Sequence, residues 1–128
     1  MENMTNETAA LRTTLEAMRD EGKIGLAILF GSFAKGRPHA RSDIDIAVYF
    51  NGTDPQEEMD LIDRILMSVE REVSILRLDD EEESPFVVQE ALKGIHLVEP
   101  DMETLYSVSV RALHEAETIR FRRELSLG

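Results

Sequence analysis

GSFAKGRPHARSDID, residues 31–45, joins the apolar run IGLAILF at 24–30 to the run DIDIAVYF at 43–50, and the way its two ends meet those runs decides the fold around it. The first run is apolar at both parities, the pattern of a strand covered on both faces, and it stops at Gly31-Ser32. In the second run carboxylates alternate with isoleucines before the segment turns apolar throughout. Residues two apart in a strand project to the same face, so Asp43 and Asp45 share one side while Ile44 and Ile46 take the other. Between the strands, residues 33–42 (FAKGRPHARS) carry Gly, Pro and basic side chains, which predicts a turn or loop.

Working outward, Leu11, Leu15 and Met18 recur at helical spacing after Thr5, a candidate cap, and predict an amphipathic helix over 5–21. After the turn at Asn51-Gly52-Thr53, Asp54-Pro55-Gln56-Glu57 has the form of a capping box, with Asp54 as cap, Pro55 at the first helical position and Glu57 reaching back. The helix it opens is expected to run to about residue 71 and to bury Met59, Ile62, Ile65, Leu66 and Val69. Residues 73–78 (VSILRL) read as a third strand. Ser84-Pro85 starts a helix over 86–93 that Gly94 is placed to terminate, and 95–98 form a short fourth strand. A long helix over 101–125 presents Leu105, Val108, Leu113, Ala116 and Ile119. Helices alternating with short apolar strands define an α/β layer architecture.

The chain has 128 residues, the size of one domain rather than two, so residues 1–128 are expected to share one core and one site. Apolar runs fall well short of the roughly 20 residues of a membrane span, and the polar N-terminus lacks the features of a signal peptide. With no cysteine, disulfides, thiolate metal sites and cysteine nucleophiles are excluded. A reducing cytoplasm is the expected location. Asp and Glu number 26 against 14 Lys and Arg, a net charge of −12, which disfavours nucleic acid as a partner and suits a solvated acidic surface or a basic protein. The three histidines show no ligand-like spacing and are assigned no role.

Residues 31–45 carry the chemistry. Two carboxylates held on one strand face repel unless a cation lies between them. Magnesium suits, because it takes oxygen ligands, is usually held by one or two carboxylates and completes its octahedron with water and substrate phosphates. Gly31 lets the backbone turn sharply or approach a phosphate, Ser32 adds a hydroxyl, and a helical turn after it would aim its first amides at a polyphosphate. Lys35, Arg37 and Arg41 are placed to neutralise the triphosphate as charge moves to pyrophosphate, and Ser42, at the end of the loop, is a further nucleotide-binding candidate.

Gly-Ser, ten residues, then Asp-x-Asp resembles the hallmark of the DNA polymerase β nucleotidyltransferases, specifically the minimal (MNT) type, and Gly31, Ser32, Asp43 and Asp45 match it residue for residue. The order of elements is similar to these stand-alone domains over nearly the whole chain. The resemblance implies a single nucleotidyltransferase domain with a small mixed sheet of about four strands flanked by helices and a long C-terminal helix. It implies one or two Mg2+ ions on Asp43 and Asp45 and ATP or another nucleoside triphosphate as donor. It further implies an antitoxin that transfers AMP to a tyrosine of a HEPN-domain ribonuclease toxin; a homo-oligomer is left open. One position departs from the pattern. Family members usually carry a third carboxylate in the third strand, where this chain has Val73-Ser74-Ile75-Leu76. Serine is neither a strong base nor an anionic ligand at neutral pH, and Glu72, which strand parity places on the same face, more readily ends the preceding helix. The alternative is an MNT domain that neutralises its partner by binding alone. Aminoglycoside transfer and polymerisation are disfavoured by the small size, and polymerisation also by the charge.

Overall fold

The computed structural model describes residues 2–36 and 43–127, with side chains described over 7–36 and 43–126. In chain order the elements are α1 (Glu2–Asp20), β1 (Ile24–Phe30), α2 (Gly31–Ala34), β2 (Ile44–Phe50), α3 (Pro55–Met67), β3 (Val73–Arg77), α4 (Pro85–Leu92), β4 (Ile95–His96) and α5 (Met102–Leu127). The strands form one mixed sheet in the order β3-β2-β1-β4. β1 is antiparallel to both β2 and β4, and β2 is parallel to β3. This is the polymerase β-like arrangement expected from the sequence.

The sheet divides two apolar layers. On one face Leu11, Leu15 and Met18 of α1 and Leu61 and Ile65 of α3 pack on Ala27, Leu29, Ile44, Ile46, Val48 and Phe50. On the other, Val88 and Ala91 of α4 with Val108 and Ala112 of α5 pack on Leu26, Ile28, Ala47 and Leu78. Burial on both faces explains why β1 is apolar at every position, since neither parity meets water. Truncating one of the fully buried leucines, such as Leu11 or Leu15, to alanine is worth about 2–5 kcal/mol in lost burial and cavity formation.

Several boundaries and faces differ from the sequence reading. α1 begins at Glu2, so Thr5 lies inside the helix rather than capping it. Residues 31–34 form a helical turn, so the expected loop is helical at its start. α3 ends at Met67, about a turn early, and β4 keeps only two residues. Asp54 does cap α3, accepting from the Gln56 amide at 3.0 Å, but Glu57 turns away and pairs with Lys23 at 3.3 Å. In α3 Met59 and Leu66 are exposed and Leu61 is buried, while in α5 Leu113 is exposed and Ala112 buried. In both helices the large apolar residue lost its place to a neighbour because helix rotation follows the whole packed face.

Gly94 follows α4 as expected, but not in a left-handed conformation. Positive φ occurs only at Gly22, Gly31 and Gly36 among the described residues. A Cβ at Gly94 would instead overlap the backbone carbonyl oxygen of Leu29. The glycine thus lets the chain pass against β1 as it enters β4. Gly94→Ala should lower stability by about 2–4 kcal/mol, the scale of an overpacked, immovable contact. Gly22→Ala, in open space but at φ +76, should cost only about 1–2 kcal/mol. Urea unfolding of the two variants checks the order; equal losses would show that the Leu29 contact is not what fixes the glycine.

Candidate active site

The site grows from one end of the sheet, where β1 finishes and β2 and β3 begin. Phe30 lies opposite Asp45 in the antiparallel pair, and Asp45 lies beside Ser74 in the parallel pair. Directly paired residues share a face, so Phe30, Asp45 and Ser74 form one row across three strands. That face is the one covered by α4 and α5 further along, at Ile28, Ala47 and Leu78. Ile44 and Ile46 point the other way and are fully buried. The alternation read from the sequence therefore places the carboxylates on one side and the anchors on the other.

Gly31 turns the chain immediately after the row. Its φ is +72, in the region that favours glycine, and a Cβ there would collide with Oδ2 of Asp45. The turn and the carboxylate thus stand in contact, and a side chain on Gly31 would displace the carboxylate. Phe30, extended at φ −138, precedes the helical turn α2, and the amide of Lys35 closes it on the Gly31 carbonyl at 3.2 Å. The first amides of any helical turn lack intrahelical acceptors, so those at Gly31, Ser32 and Phe33 suit an anion. Lys35 is exposed at the end of this turn. Arg37, Arg41 and Ser42 lie outside the described residues.

Asp45 is half-buried, and Asp43, one residue before the strand, is exposed. Burial, and then the neighbouring charge of Asp43, raise the Asp45 pKa above the ordinary carboxylate value. Two carboxylates that repel in this way fit a divalent cation shared with phosphate oxygens. Ser74 is exposed beside Asp45 and supplies no charge. Glu72 precedes β3 and uses its backbone carbonyl to accept from the Ile44 amide at 2.9 Å. It does not end the preceding helix, which stops at Met67. Among the described residues no three Asp, Glu or His side chains group to hold a metal, so Glu72 does not complete a triad.

One contributor had no sequence signal. The Arg71 guanidinium lies 5.1 Å from the ring centroid of Phe33, the buried residue of α2, and its Nε donates to Glu7 Oε2 at 2.9 Å. The turn carrying Ser32 is thereby tied to α1 and to the link before β3. The partners of Arg71 are 38 and 64 positions away in the chain, and nothing in spacing announces them.

The profile of the polymerase beta nucleotidyltransferase family matches residues 13–103, and the chain belongs to that family. No curated protein matches the chain. Solved structures share its fold. A chain of a toxin-antitoxin complex with AMP-PNP is 22% identical at a TM-score of 0.68, covering 91% of this chain and 94% of that one. A chain of the MntA-HepT toxin-antitoxin complex is 19% identical at a TM-score of 0.63, covering 93% and 94%. A third, from the Shewanella oneidensis complex of a tri-AMPylated HEPN toxin with an MNT antitoxin, is 18% identical at a TM-score of 0.64, covering 94% and 95%. No helix of the described residues is long and apolar enough to cross a membrane.

The raised Asp45 pKa makes a prediction with a definite sign. The folded carboxyl holds its proton more tightly than the unfolded chain does. Its contribution to stability is therefore fullest below the ordinary carboxylate range and is lost as pH rises through the raised value. Near neutral pH the ionised group opposes folding. Asp45→Asn should melt a few degrees higher than the parent near neutral pH, and the gain should vanish at about pH 4. Thermal melts across that range check it; a variant that melts lower at neutral pH would show that Asp45 is favourably paired instead.

Proposed function

We propose that the chain is an MNT-type antitoxin that transfers AMP from ATP to a hydroxyl acceptor, a tyrosine of a HEPN ribonuclease toxin. The observation that carries the reading is the contact of Gly31 with the Asp45 carboxylate, with Asp43 beside it, because it brings a phosphate-binding turn against two anionic oxygen donors. The structural neighbour in complex with a tri-AMPylated HEPN toxin supports the choice of partner.

Asp43 and Asp45 would hold one or two Mg2+ ions, which when bound supply positive charge to the α-phosphate and to the departing oxygens. The amides and hydroxyl at Gly31-Ser32 orient the triphosphate, and the cationic side chains of Lys35, Arg37 and Arg41 offset charge as it moves to pyrophosphate. The acceptor oxygen attacks the α-phosphorus in line. A new P–O bond forms, the bond to the bridging oxygen breaks, pyrophosphate leaves, and the acceptor proton passes to solvent. Ser74 stands where a carboxylate base or ligand would sit, so this chain supplies positioning and charge rather than a strong base at that position.

Ser74 also favours a second reading, in which the domain silences its partner by binding alone. ATP labelled at the α-phosphate, incubated with the protein, Mg2+ and a HEPN partner, separates the two. Covalent label on the partner, absent with γ-labelled ATP, supports transfer; a stable complex without label supports binding alone. Asp43→Asn and Asp45→Asn should each lower transfer by at least about 100-fold with the fold intact. Ser74→Asp should raise the rate about tenfold or more by restoring the missing anion. An unchanged rate in Ser74→Asp would show that another group already fills that role.

A further inference from the structure

Ser74 closes the row that begins at the Phe30-Gly31 end of β1, and its meaning follows from the side on which a phosphorus can be attacked. Phe30 stands opposite Asp45 in the antiparallel pair, and Asp45 stands beside Ser74 in the parallel pair. β1 and β3 each lie roughly 4.8 Å from β2, so the Gly31 turn and Ser74 flank one carboxylate from opposite sides. Ser74 is exposed, and among the described residues its hydroxyl makes no hydrogen bond. α4 and α5 cover that face only further along, at Ile28, Ala47 and Leu78.

We propose that, when no protein acceptor is present, Ser74 is itself adenylylated by the nucleotide bound to the same chain. The inference rests on the transfer reaction proposed above and adds an acceptor to it. In-line displacement requires the entering and leaving oxygens on opposite sides of the phosphorus. With the α-phosphate at Asp43 and Asp45 and pyrophosphate departing over Gly31-Ser32, the entering side faces β3, whose one hydroxyl is Ser74. Ser32 stands on the leaving side and cannot enter in line. β3 is an outer strand, so no further strand beyond it resists closure to the roughly 3–3.5 Å that attack needs. A bond forms between Ser74 Oγ and the α-phosphorus, the bond to the bridging oxygen breaks, pyrophosphate leaves, and the hydroxyl proton passes to water. Both reactants belong to one complex, which offsets the want of a strong base beside the serine. The phosphodiester then fills the entering side, so the reaction stops at a single adenylate and closes the site to other acceptors.

The test is incubation of the full chain with Mg2+ and ATP labelled at the α-phosphate, without a partner. The chain should take up a single adenylate, mapped to Ser74 by peptide mass spectrometry, and ATP labelled at the γ-phosphate should leave no label. Ser74→Ala and Asp45→Asn should each lower uptake at least about 100-fold, and Ser74→Thr, which keeps a hydroxyl, should retain it. The rate per chain should not change with protein concentration. Once modified, the chain should bind ATP carrying a methylene bridge between its α- and β-phosphates at least about tenfold more weakly by titration calorimetry. Label on Ser32 or another residue overturns the proposal, as does uptake that survives in Ser74→Ala, a rate that rises with protein concentration, or unweakened binding of the analogue. A HEPN partner that is labelled in a parallel incubation, while the chain alone stays unlabelled, overturns it and leaves the transfer reading standing. Absence of label from both proteins overturns the two together.

Discussion

The backbone at Gly31, turned at positive φ, passes against the Asp45 carboxylate, which would have to move to admit a β-carbon, and much of the structure serves to hold that approach. It requires β1 and β2 to be antiparallel neighbours with Phe30 opposite Asp45. It also requires both strands to be clamped from two sides, because a strand free to slide would separate turn from carboxylate. The two apolar layers provide the clamp, with fully buried residues of β1 and β2 facing each of them. Phe33 extends one layer beneath the helical turn, and Arg71 with Glu7 fixes that turn to the rest of the layer.

The same approach has an electrostatic cost. A half-buried carboxylate with a second one beside it is a poor component of an empty fold, and the raised pKa of Asp45 records the strain as a preference for its proton. A site that is unfavourable when empty gains most from a multivalent cation and a polyphosphate. Stability is given up in the free domain, and the proposed cation and polyphosphate would return it on binding, the usual relation where function sets the residue. Ser74 beside Asp45 keeps this repulsion from growing further, since a third carboxylate in that row would add to it.

How much of this the sequence disclosed depends on the range of the interaction. The alternation of Asp43, Ile44, Asp45 and Ile46 exposes a period of two, and the structure follows it because a strand admits no other assignment of faces. Every strand was legible, and so was the fully buried face of α1. The helix faces of α3 and α5 were legible only in part. Met59, Leu66 and Leu113 fit a helical period but lie on the wrong side of the packed axis, which is set by the sheet rather than by the helix itself. The reason for Gly94 was hidden as well, since its constraint is the carbonyl of Leu29, 65 positions earlier. Contacts such as Arg71 with Phe33 and Glu7 join three elements by tertiary placement, and no local pattern encodes them.

The shortness of β4 has a consequence beyond the site. β1 would otherwise offer a seven-residue rim of unpaired amides and carbonyls to any passing strand. Two residues of β4 occupy part of it, and the amides of Leu97 and Asp101 then take the carbonyls of Ala27 and Gly25 in turn, so the border is closed piecemeal without creating a long outer strand. At the opposite border β3 has five residues and ends in Arg77, tethered by ion pairs to Glu58 and Asp79. Both margins are therefore short, and the β3 margin ends in a charged residue, features that disfavour edge-to-edge pairing.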